Sequence, residues 1–393
     1  MIGETLLLLL AFSLPTQFGT FFFFDFSFVQ GVRVDYLAPA LFLTDILVFI
    51  LLASKWKLLL KTCRKKWFSV VLLILVSNVL LAQQTFLALY GTLKVLELYG
   101  LSVLVKNSRV KRSRMYTAFF AGAVVVFFLA LAQIVHQGAL QGIWYFLGER
   151  NFTIDTIGIA TITAHGKQLL RPYSTFPHPN ALGGFYLALY VFALWDTKTR
   201  SAARFLLMII SSLLILISFS RTAIIVFAMI NMYYAFDVKL YKHCVFCFVT
   251  RLLTFLLVLG IAFQFQGDPL SLYKRGLLTK KAVEIISTHP FFGVGLKNYL
   301  FEQGSIDGAF PYVFIQPVHN VFLLFVAEVG VVVSGLLACG AWKWLKKRTQ
   351  TKQWWIVLFV VVATGMFDHY WLTIQQNFLL LAVLFGLLNK DKV

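Results

Sequence analysis

Twelve apolar runs divide this chain, and few folds accept such a pattern. They lie at Thr5 to Leu14 and near 37–54, 67–83, 85–105, 115–135, 179–196, 204–219, 222–236, 245–264, 319–341, 354–370 and 373–388. A helix that crosses a bilayer needs about 20 predominantly apolar residues, and a buried backbone there must satisfy its own hydrogen bonds. Composition agrees: 60% of the 393 residues are hydrophobic and 13% charged, against about 45–50% and about 25% in soluble domains. A soluble enzyme, a disordered chain and a secreted disulfide scaffold are excluded. The expected fold class is an all-α polytopic membrane protein of about twelve transmembrane helices in a single integral domain. The pairs within 67–105 and 204–236 read either as hairpins or as kinked helices. Glu4 precedes the first run and no small-residue cleavage site follows it, so a retained first helix is expected rather than a signal peptide.

Charge orients the helices. Lys55, Lys57, Lys61, Arg64, Lys65 and Lys66 fill one short loop, and Lys106, Arg109, Lys111, Arg112 and Arg114 a second. Lys198, Arg200 and Arg204 follow, then Lys239 and Lys242, then Lys343, Lys346, Lys347, Arg348 and Lys352, with Lys390 and Lys392 closing the chain. With the N-terminus inside, a twelve-helix alternation puts all of these on one side, the cytoplasmic one by the positive-inside rule. Both termini are then cytoplasmic. The formal net charge of +19 is mostly this orientation signal. A nucleic-acid partner would need a separate basic domain, and no charge-rich stretch is long enough to be one.

Two longer loops, 136–178 and 265–318, fall on the outside, and loops of that length in a compact protein are usually functional. The second holds an amphipathic pattern, with Leu277, Leu278, Ala282, Ile285 and Ile286 on one face and Lys280, Lys281 and Glu284 off it. It predicts a short helix on or near the outer membrane surface. Cys63, Cys244, Cys247 and Cys339 fall at or near the cytoplasmic face, where disulfides are not expected. His243, Cys244 and Cys247 have no second ligand pair, so packing is a better reading than metal.

Chemistry concentrates outside. Six of seven histidines fall there: His136, His165, His178, His289, His319 and His369. Arg171, Arg221 and Arg275 join them. Arg221 sits at a tight outer turn between two apolar runs, where it either snorkels to headgroups or binds an anion. Arginine offers a planar fork suited to phosphate, and a nearby histidine titrates in the range of a general base. The outer acids Asp155, Asp268, Glu284, Glu302, Asp307 and Asp368 are scattered, with no D-x-D, which disfavours a metal-dependent sugar-nucleotide transferase. No P-loop occurs, and GVG at 293–295 is a turn. Asp45, Glu97, Glu328 and Asp368 lie near or within apolar runs. Such residues usually face the bundle interior, and Lys94 and Glu97 are spaced to satisfy one another.

Five stretches then carry a resemblance: RPYSTFPHPNALGGFYLAL at 171–189, ISFSRTAIIVF at 217–227, HPFFGVGLKNY at 289–299, HNVFLLFVAEVG at 319–330 and FDHYWLTIQQNFLLLAVLFGL at 367–387. Over roughly 150–390 the chain resembles the O-antigen ligase family, with its related O-antigen polymerases and protein O-oligosaccharyltransferases. The ligase signature is His, then Asn, Ser or Gln, nine residues, Gly, two residues, and Gly, Thr or Tyr. His319, Asn320 and Gly330 fit; Val333 does not. The resemblance implies a GT-C-like glycosyltransferase of the bacterial plasma membrane with an extracytoplasmic site. Its donor would be a glycan on a polyprenyl diphosphate (undecaprenyl diphosphate is the expected carrier). Its acceptor would be a hydroxyl of lipid A core, protein or glycan, as in lipopolysaccharide and polysaccharide biosynthesis of the cell envelope. It would need no metal and no cofactor.

By the same resemblance His319 is the general base and Arg221 acts with it in catalysis. Arg171 and Arg221 hold the diphosphate, Arg275 is a third candidate in the loop that caps the site, and His178, Asn180, Asn320 and His369 complete substrate binding. The HPN element is either structural, starting a helix after Pro179, or part of the site; Asn320 is also placed to cap a helix. His369 with Asp368 resembles a catalytic dyad on paper. A polymerase joining lipid-linked repeat units is the alternative within enzymes. A lipid-linked oligosaccharide transporter or flippase is the alternative outside them.

Overall fold

A computed structural model describes residues 2–64, 66–164, 166–264, 270–306, 310, 313–346 and 350–390. Of the residues singled out above, Lys65, His165, Asp268, Asp307, Lys347, Arg348 and Lys392 lie outside the described set. Of the described residues 69% are helical. In order the helices are α1 (Ile2–Ser13), α2 (Leu43–Ser54), α3 (Trp56–Cys63), α4 (Lys66–Leu81), α5 (Thr85–Lys106) and α6 (Arg112–His136). After a long connection come α7 (Pro179–Leu194), α8 (Ala202–Ile217), α9 (Arg221–Asp237), α10 (Leu240–His243), α11 (Val245–Gln264) and α12 (Ser271–Thr288). The series ends with α13 (Tyr299–Gln303), α14 (Val321–Val329), α15 (Val331–Lys346), α16 (Lys352–Gly365), α17 (Tyr370–Thr373) and α18 (Gln375–Lys390).

Among the described residues α5 and α6 are each long and apolar enough to cross a membrane, and α14 with α15 would add a third crossing if counted together. Six further apolar helices are shorter. This is the composition of a helical membrane protein. Both closely spaced pairs resolve into separate helices, α4 with α5 and α8 with α9.

Packing centres on α7 and α18. From Ala181 to Leu194 every residue of α7 is buried, the signature of a helix apolar on all sides and enclosed by others. Gly183 and Gly184 let it sit close. A side chain at Gly183 would meet Ser218 Oγ at 2.7 Å, and one at Gly184 the Tyr370 hydroxyl at 2.2 Å. The two glycines thus seat α7 against the turn before Arg221 and the segment after Asp368.

Four sequence expectations change. The fold is not purely α: three two-stranded antiparallel hairpins decorate the connections, β1 (Gly19–Phe21) with β4 (Ala40–Phe42), β2 (Phe28–Val29) with β3 (Val32–Arg33), and β5 (Thr161–Ala164) with β6 (Lys167–Leu170). The run at 37–54 becomes helical only at Leu43, because Ala40–Phe42 pairs with β1 and the Asp45 carboxylate accepts the Phe42 amide at 3.0 Å. The amphipathic helix exists as α12, but Leu278, Ala282 and Ile285 pack in a protein cluster with Tyr299, Val318 and Leu324. Its apolar face finds a protein partner, so that face is not what meets lipid. Finally, Cys244 is disulfide-bonded, whereas Cys63 and Cys339 are free. The expectation rested on compartment, and bonding follows the proximity of sulfurs.

The run at 319–341 breaks in the middle. Helices α14 and α15 meet at Gly330 with a bend of 117°. A break inside an apolar bundle strands backbone groups, which something must satisfy. Here the loop at 290–295 does so. Val294 N donates to Ala327 O at 3.0 Å, Gly295 N to Glu328 O at 2.9 Å, and Val331 N to Pro290 O at 2.7 Å. The Asn78 side chain adds a bond to Glu328 O at 3.0 Å and accepts from Leu296 N at 2.8 Å. Gly330 has φ +83°, and a Cβ there would lie 2.2 Å from Phe291 O. Two of the resembling stretches, 289–299 and 319–330, are therefore halves of one backbone contact.

Gly330→Ala is expected to destabilise the protein by about 2 kcal/mol or more, since left-handed strain and a backbone clash combine. Gly335→Ala, in open space, serves as control. Thermal unfolding in detergent checks this: a drop for Gly330→Ala alone is the expected result.

Candidate active site

The site assembles at one end of α7, where the β6–α7 connection, the turn before α9, the start of α14 and the α16–α17 connection meet. Arg171 follows β6. Its Nε and Nη2 donate to Ser218 O at 3.1 and 3.0 Å, and Nη2 also reaches Asn180 Oδ1 at 2.6 Å. Asn180 passes the link on, its Nδ2 donating to Asp368 Oδ2 at 2.8 Å. The other oxygen of Asp368 accepts the backbone amide of His369 at 2.8 Å and lies 3.5 Å from His319 Nδ1. A continuous polar chain thus runs from the arginine to the histidine. The last distance exceeds a formed hydrogen bond, a gap that catalytic contacts often show before substrate binds.

Local folding explains each position. His178 caps α7, its Nδ1 accepting from Asn180 N at 3.1 Å, with Pro179 in the first turn. The HPN element therefore divides its labour: histidine and proline start the helix, and asparagine holds the site. Asn320 caps α14 by accepting from Phe322 N and Leu323 N at 2.9 and 3.0 Å. Its amide also donates to Met366 O at 3.1 Å, which fixes the α16–α17 connection and so places Asp368 beside His319. Asn320 is thereby a positioning residue. His369 packs at 5.2 Å between ring centroids from His319, and its Nδ1 contacts Thr373 Oγ1 at 2.7 Å.

The three arginines converge. Arg275, on α12, donates to Phe367 O at 3.1 Å, next to Asp368. Arg221, at the first position of α9, is exposed, and both it and Arg275 act electrostatically on Arg171. Burial, offset in part by Asp368, and those two like charges bring the Arg171 guanidinium down to about 10. It stays charged at neutral pH.

Burial raises the Asp368 carboxyl, but contact with His319 outweighs it and holds the group well below the usual carboxylate range. Burial also depresses His178 and His369, each to about 3, with Arg171 adding to the effect on His178 and Asp368 opposing it for both. The cluster at neutral pH is thus an ionised carboxylate flanked by two neutral imidazoles, with His319 on the open side.

His319, Asp368 and His369 also place one possible ligand atom each within 4.8 Å of the others. Both Asp368 oxygens accept hydrogen bonds, and His369 Nδ1 is held by Thr373, so that ring turns its Nε2 to the carboxylate at 3.9 Å. The arrangement orients His319 through a carboxylate, as an aspartate orients the histidine of a hydrolytic triad.

All eight expected site residues, Arg171, His178, Asn180, Arg221, Arg275, His319, Asn320 and His369, gather here. Four participants were not among them, and the first is Asp368 itself, read from sequence only as a dyad partner of His369. Tyr36 packs edge-on against His369 with ring centroids 5.7 Å apart, Ser218 supplies a carbonyl, and Thr373 holds His369. A carbonyl leaves no mark in a sequence, and Tyr36 belongs to a short 3-10 turn at Asp35–Leu37 that carries no motif. His289 stands apart, its Nδ1 against Thr288 Oγ1 at 3.0 Å.

No curated protein and no solved structure matches the chain. A family model does. Residues 184–338 match the one described as O-Antigen ligase, a span that holds Arg221, Arg275, His319, Asn320 and the Gly330 break. Arg171 and Asn180 lie just before it and Asp368 just after, hydrogen-bonded to one another and in contact with His319. Over this segment the chain is similar to the O-antigen ligase family.

Proposed function

We propose that the protein is an O-antigen ligase-like glycosyltransferase that moves a glycan from a polyprenyl-diphosphate carrier to an acceptor hydroxyl. On this reading it works at the outer face of the bacterial plasma membrane, in a twelve-helix topology with both termini and the basic loops in the cytoplasm. The family match supports a membrane enzyme of ligase or polymerase type. One observation carries the rest: the hydrogen-bonded chain Arg171–Asn180–Asp368 that ends against His319. It couples a fixed guanidinium, suited to a diphosphate, to a histidine oriented as a base.

The reaction is an inverting displacement. The acceptor oxygen forms a bond to the anomeric carbon as the bond from that carbon to the diphosphate oxygen breaks, and the electron pair leaves with the lipid diphosphate. Asp368 faces Nδ1 of His319, which leaves Nε2 to take the hydroxyl proton. The carboxylate then stabilises the imidazolium, and the arginines stabilise charge growing on the leaving group. Fixed donors in a partly dry site are worth more than in water. No step requires a metal or nucleotide.

Polymerase activity uses the same chemistry with a second lipid-linked glycan as acceptor. Incubating purified protein with a polyprenyl-diphosphate oligosaccharide and candidate acceptors separates the outcomes by product mass. A conjugate to lipid A core, protein or another hydroxyl means ligase, and a longer lipid-linked glycan means polymerase. Translocation in vesicles without any product would overturn the transferase reading.

His319→Ala and Arg221→Ala are each expected to lower transfer by about 10²–10³-fold or more while the protein still inserts. Released carrier diphosphate is the readout, and normal transfer by either variant contradicts the assignment. A chelator is expected to leave the wild-type rate unchanged; metal-dependent recovery after chelation would assign His319, Asp368 and His369 to a metal instead.

The ionisation pattern adds a pH dependence with a definite sign. His178 and His369 hold pKa values below those of the unfolded chain, and Asp368 does too. Unfolding therefore takes up protons, so stability falls as pH drops through the unfolded histidine range near about 6.5 and then the carboxylate range. The midpoint of thermal unfolding should fall between pH 7 and pH 5, and fall less in His178→Asn/His369→Gln. An equal slope in that variant would contradict the burial of two neutral imidazoles.

A further inference from the structure

Three atoms able to ligate a cation draw together in the cluster of His319, Asp368 and His369, and their hydrogen bonds decide what each can offer. Thr373 Oγ1 donates to His369 O at 3.2 Å, so toward His369 Nδ1, 2.7 Å away, it can only accept. The His369 ring therefore carries its proton on Nδ1. Its Nε2, 3.9 Å from Asp368 Oδ1, presents a bare lone pair to a carboxylate. Two acceptors thus face one another with no proton between them. On the other flank the enclosed His319 Nδ1 lies 3.5 Å from the same oxygen and makes no formed hydrogen bond among the described residues.

These separations suit a shared cation better than a direct ion pair. Ligands at about 2.0–2.1 Å around a tetrahedral zinc stand about 3.3–3.4 Å apart, whereas a charge-assisted hydrogen bond closes to about 2.7–2.9 Å. The two edges to Asp368 Oδ1 measure 3.5 and 3.9 Å, and all three atoms lie within 4.8 Å of one another. The supports are also those of a metal site. A ligating histidine characteristically gives its second N–H to an oxygen, and a ligating carboxylate is itself hydrogen-bonded. Thr373 does the first for His369. Asn180 Nδ2 and the His369 amide do the second for Asp368, each at 2.8 Å. Asp368 and His369 are buried, and His319 is half-buried on the open side, which leaves a fourth position for water. Two imidazoles and one carboxylate suit zinc-type cations over magnesium or calcium, which take oxygen ligands.

We propose that His319, Asp368 and His369 form an inhibitory site for zinc or a cation of that class, which silences the general base by fixing the wrong tautomer. The inference rests on the role given to His319 above. Transfer needs the His319 proton on Nδ1, toward Asp368, and a free lone pair on Nε2. A cation on Nδ1 takes the lone pair there, so the ring proton passes through water to Nε2. The ring stays neutral and no proton is gained or lost, but Nε2–H cannot accept the proton of the acceptor hydroxyl. The Asp368 oxygen that orients the ring is engaged at the same time. Arg171 stays in place, since its bonds go to Ser218 and Asn180. Donor binding therefore survives while the chemical step is lost.

Binding is read first, without substrate. Metal-free protein in lipid nanodiscs is titrated with Co²⁺ and then with Zn²⁺. Co²⁺ is expected to give the intense visible absorption of a four-coordinate site without a thiolate charge-transfer band, and Zn²⁺ to erase it. Thr373→Val, which strips the support of His369, is expected to weaken Zn²⁺ by about 10–100-fold, and His369→Gln to abolish the Co²⁺ spectrum. In transfer assays Zn²⁺ should lower kcat at least tenfold, leave the donor KM unchanged and be reversed by a chelator. The residual transfer of His369→Gln should resist the Zn²⁺ that silences the wild type, a readout that only folded protein gives. Absence of the Co²⁺ spectrum, a spectrum that survives in His369→Gln, Zn²⁺ bound with an unchanged rate, or a rate raised by Zn²⁺ would overturn the proposal. A protein that binds Zn²⁺ through these residues yet transfers no glycan would overturn the reaction and the inhibition with it, and leave the cation site standing.

Discussion

The buried carboxylate of Asp368 is the interaction on which the site depends. One of its oxygens holds Asn180, which holds Arg171; the other faces His319 and accepts the amide of His369. A lone buried carboxylate is costly, and it persists here because donors from separate segments converge on it. Those donors come from the start of α7 and the α16–α17 connection, with His319 just ahead of α14. Removing the charge would loosen more than one contact, because both Asn180 and His319 face this carboxylate.

That convergence needs a bundle whose helices end in the right places. Gly183 and Gly184 bring α7 close to Ser218 and Tyr370, and the break at Gly330, sealed by the loop at 290–295, stops α14 short. The short helix is what sets His319 and Asn320 at the level of Asp368. The Lys94, Asp45 and Glu97 cluster ties α2 to α5, and Gln375 links Asp45 to α18. The buried Lys94 ammonium is thus paired with carboxylates inside the bundle, while Arg171 and Arg275 donate to carbonyl and amide oxygens at the site.

Much of this was legible in the sequence, and the parts that were not share a physical cause. Apolar runs announce helices because hydrophobicity is a local property, so α5, α6 and α7 fell where expected. Arg171, Arg221 and Arg275 and the histidines near them were visible because they fall outside the basic loops that the positive-inside rule accounts for. The break at Gly330 was hidden, since the apolar pattern continues across it and only the partner loop makes it tolerable. The hairpins near the N-terminus were hidden because their pairing is nonlocal: Ala40–Phe42 reads as the start of an apolar run until β1 claims it. Tyr36 was hidden for the same reason, since its role comes from packing on a histidine more than three hundred residues away. Asp368 was visible as an odd acid next to His369, and Asn180 was expected in the site as a substrate-binding residue, but their hydrogen bond across 188 positions left no mark in the sequence.

The central claim is that the anion-binding arginine and the base act as one unit joined by Asp368. A double-mutant cycle with Arg171→Lys and Asp368→Asn, read as the rate of carrier-diphosphate release, tests it most directly. If the two act as a unit, the double variant loses about as much as the more damaging single one. If their losses multiply, the two residues act independently and the account is wrong.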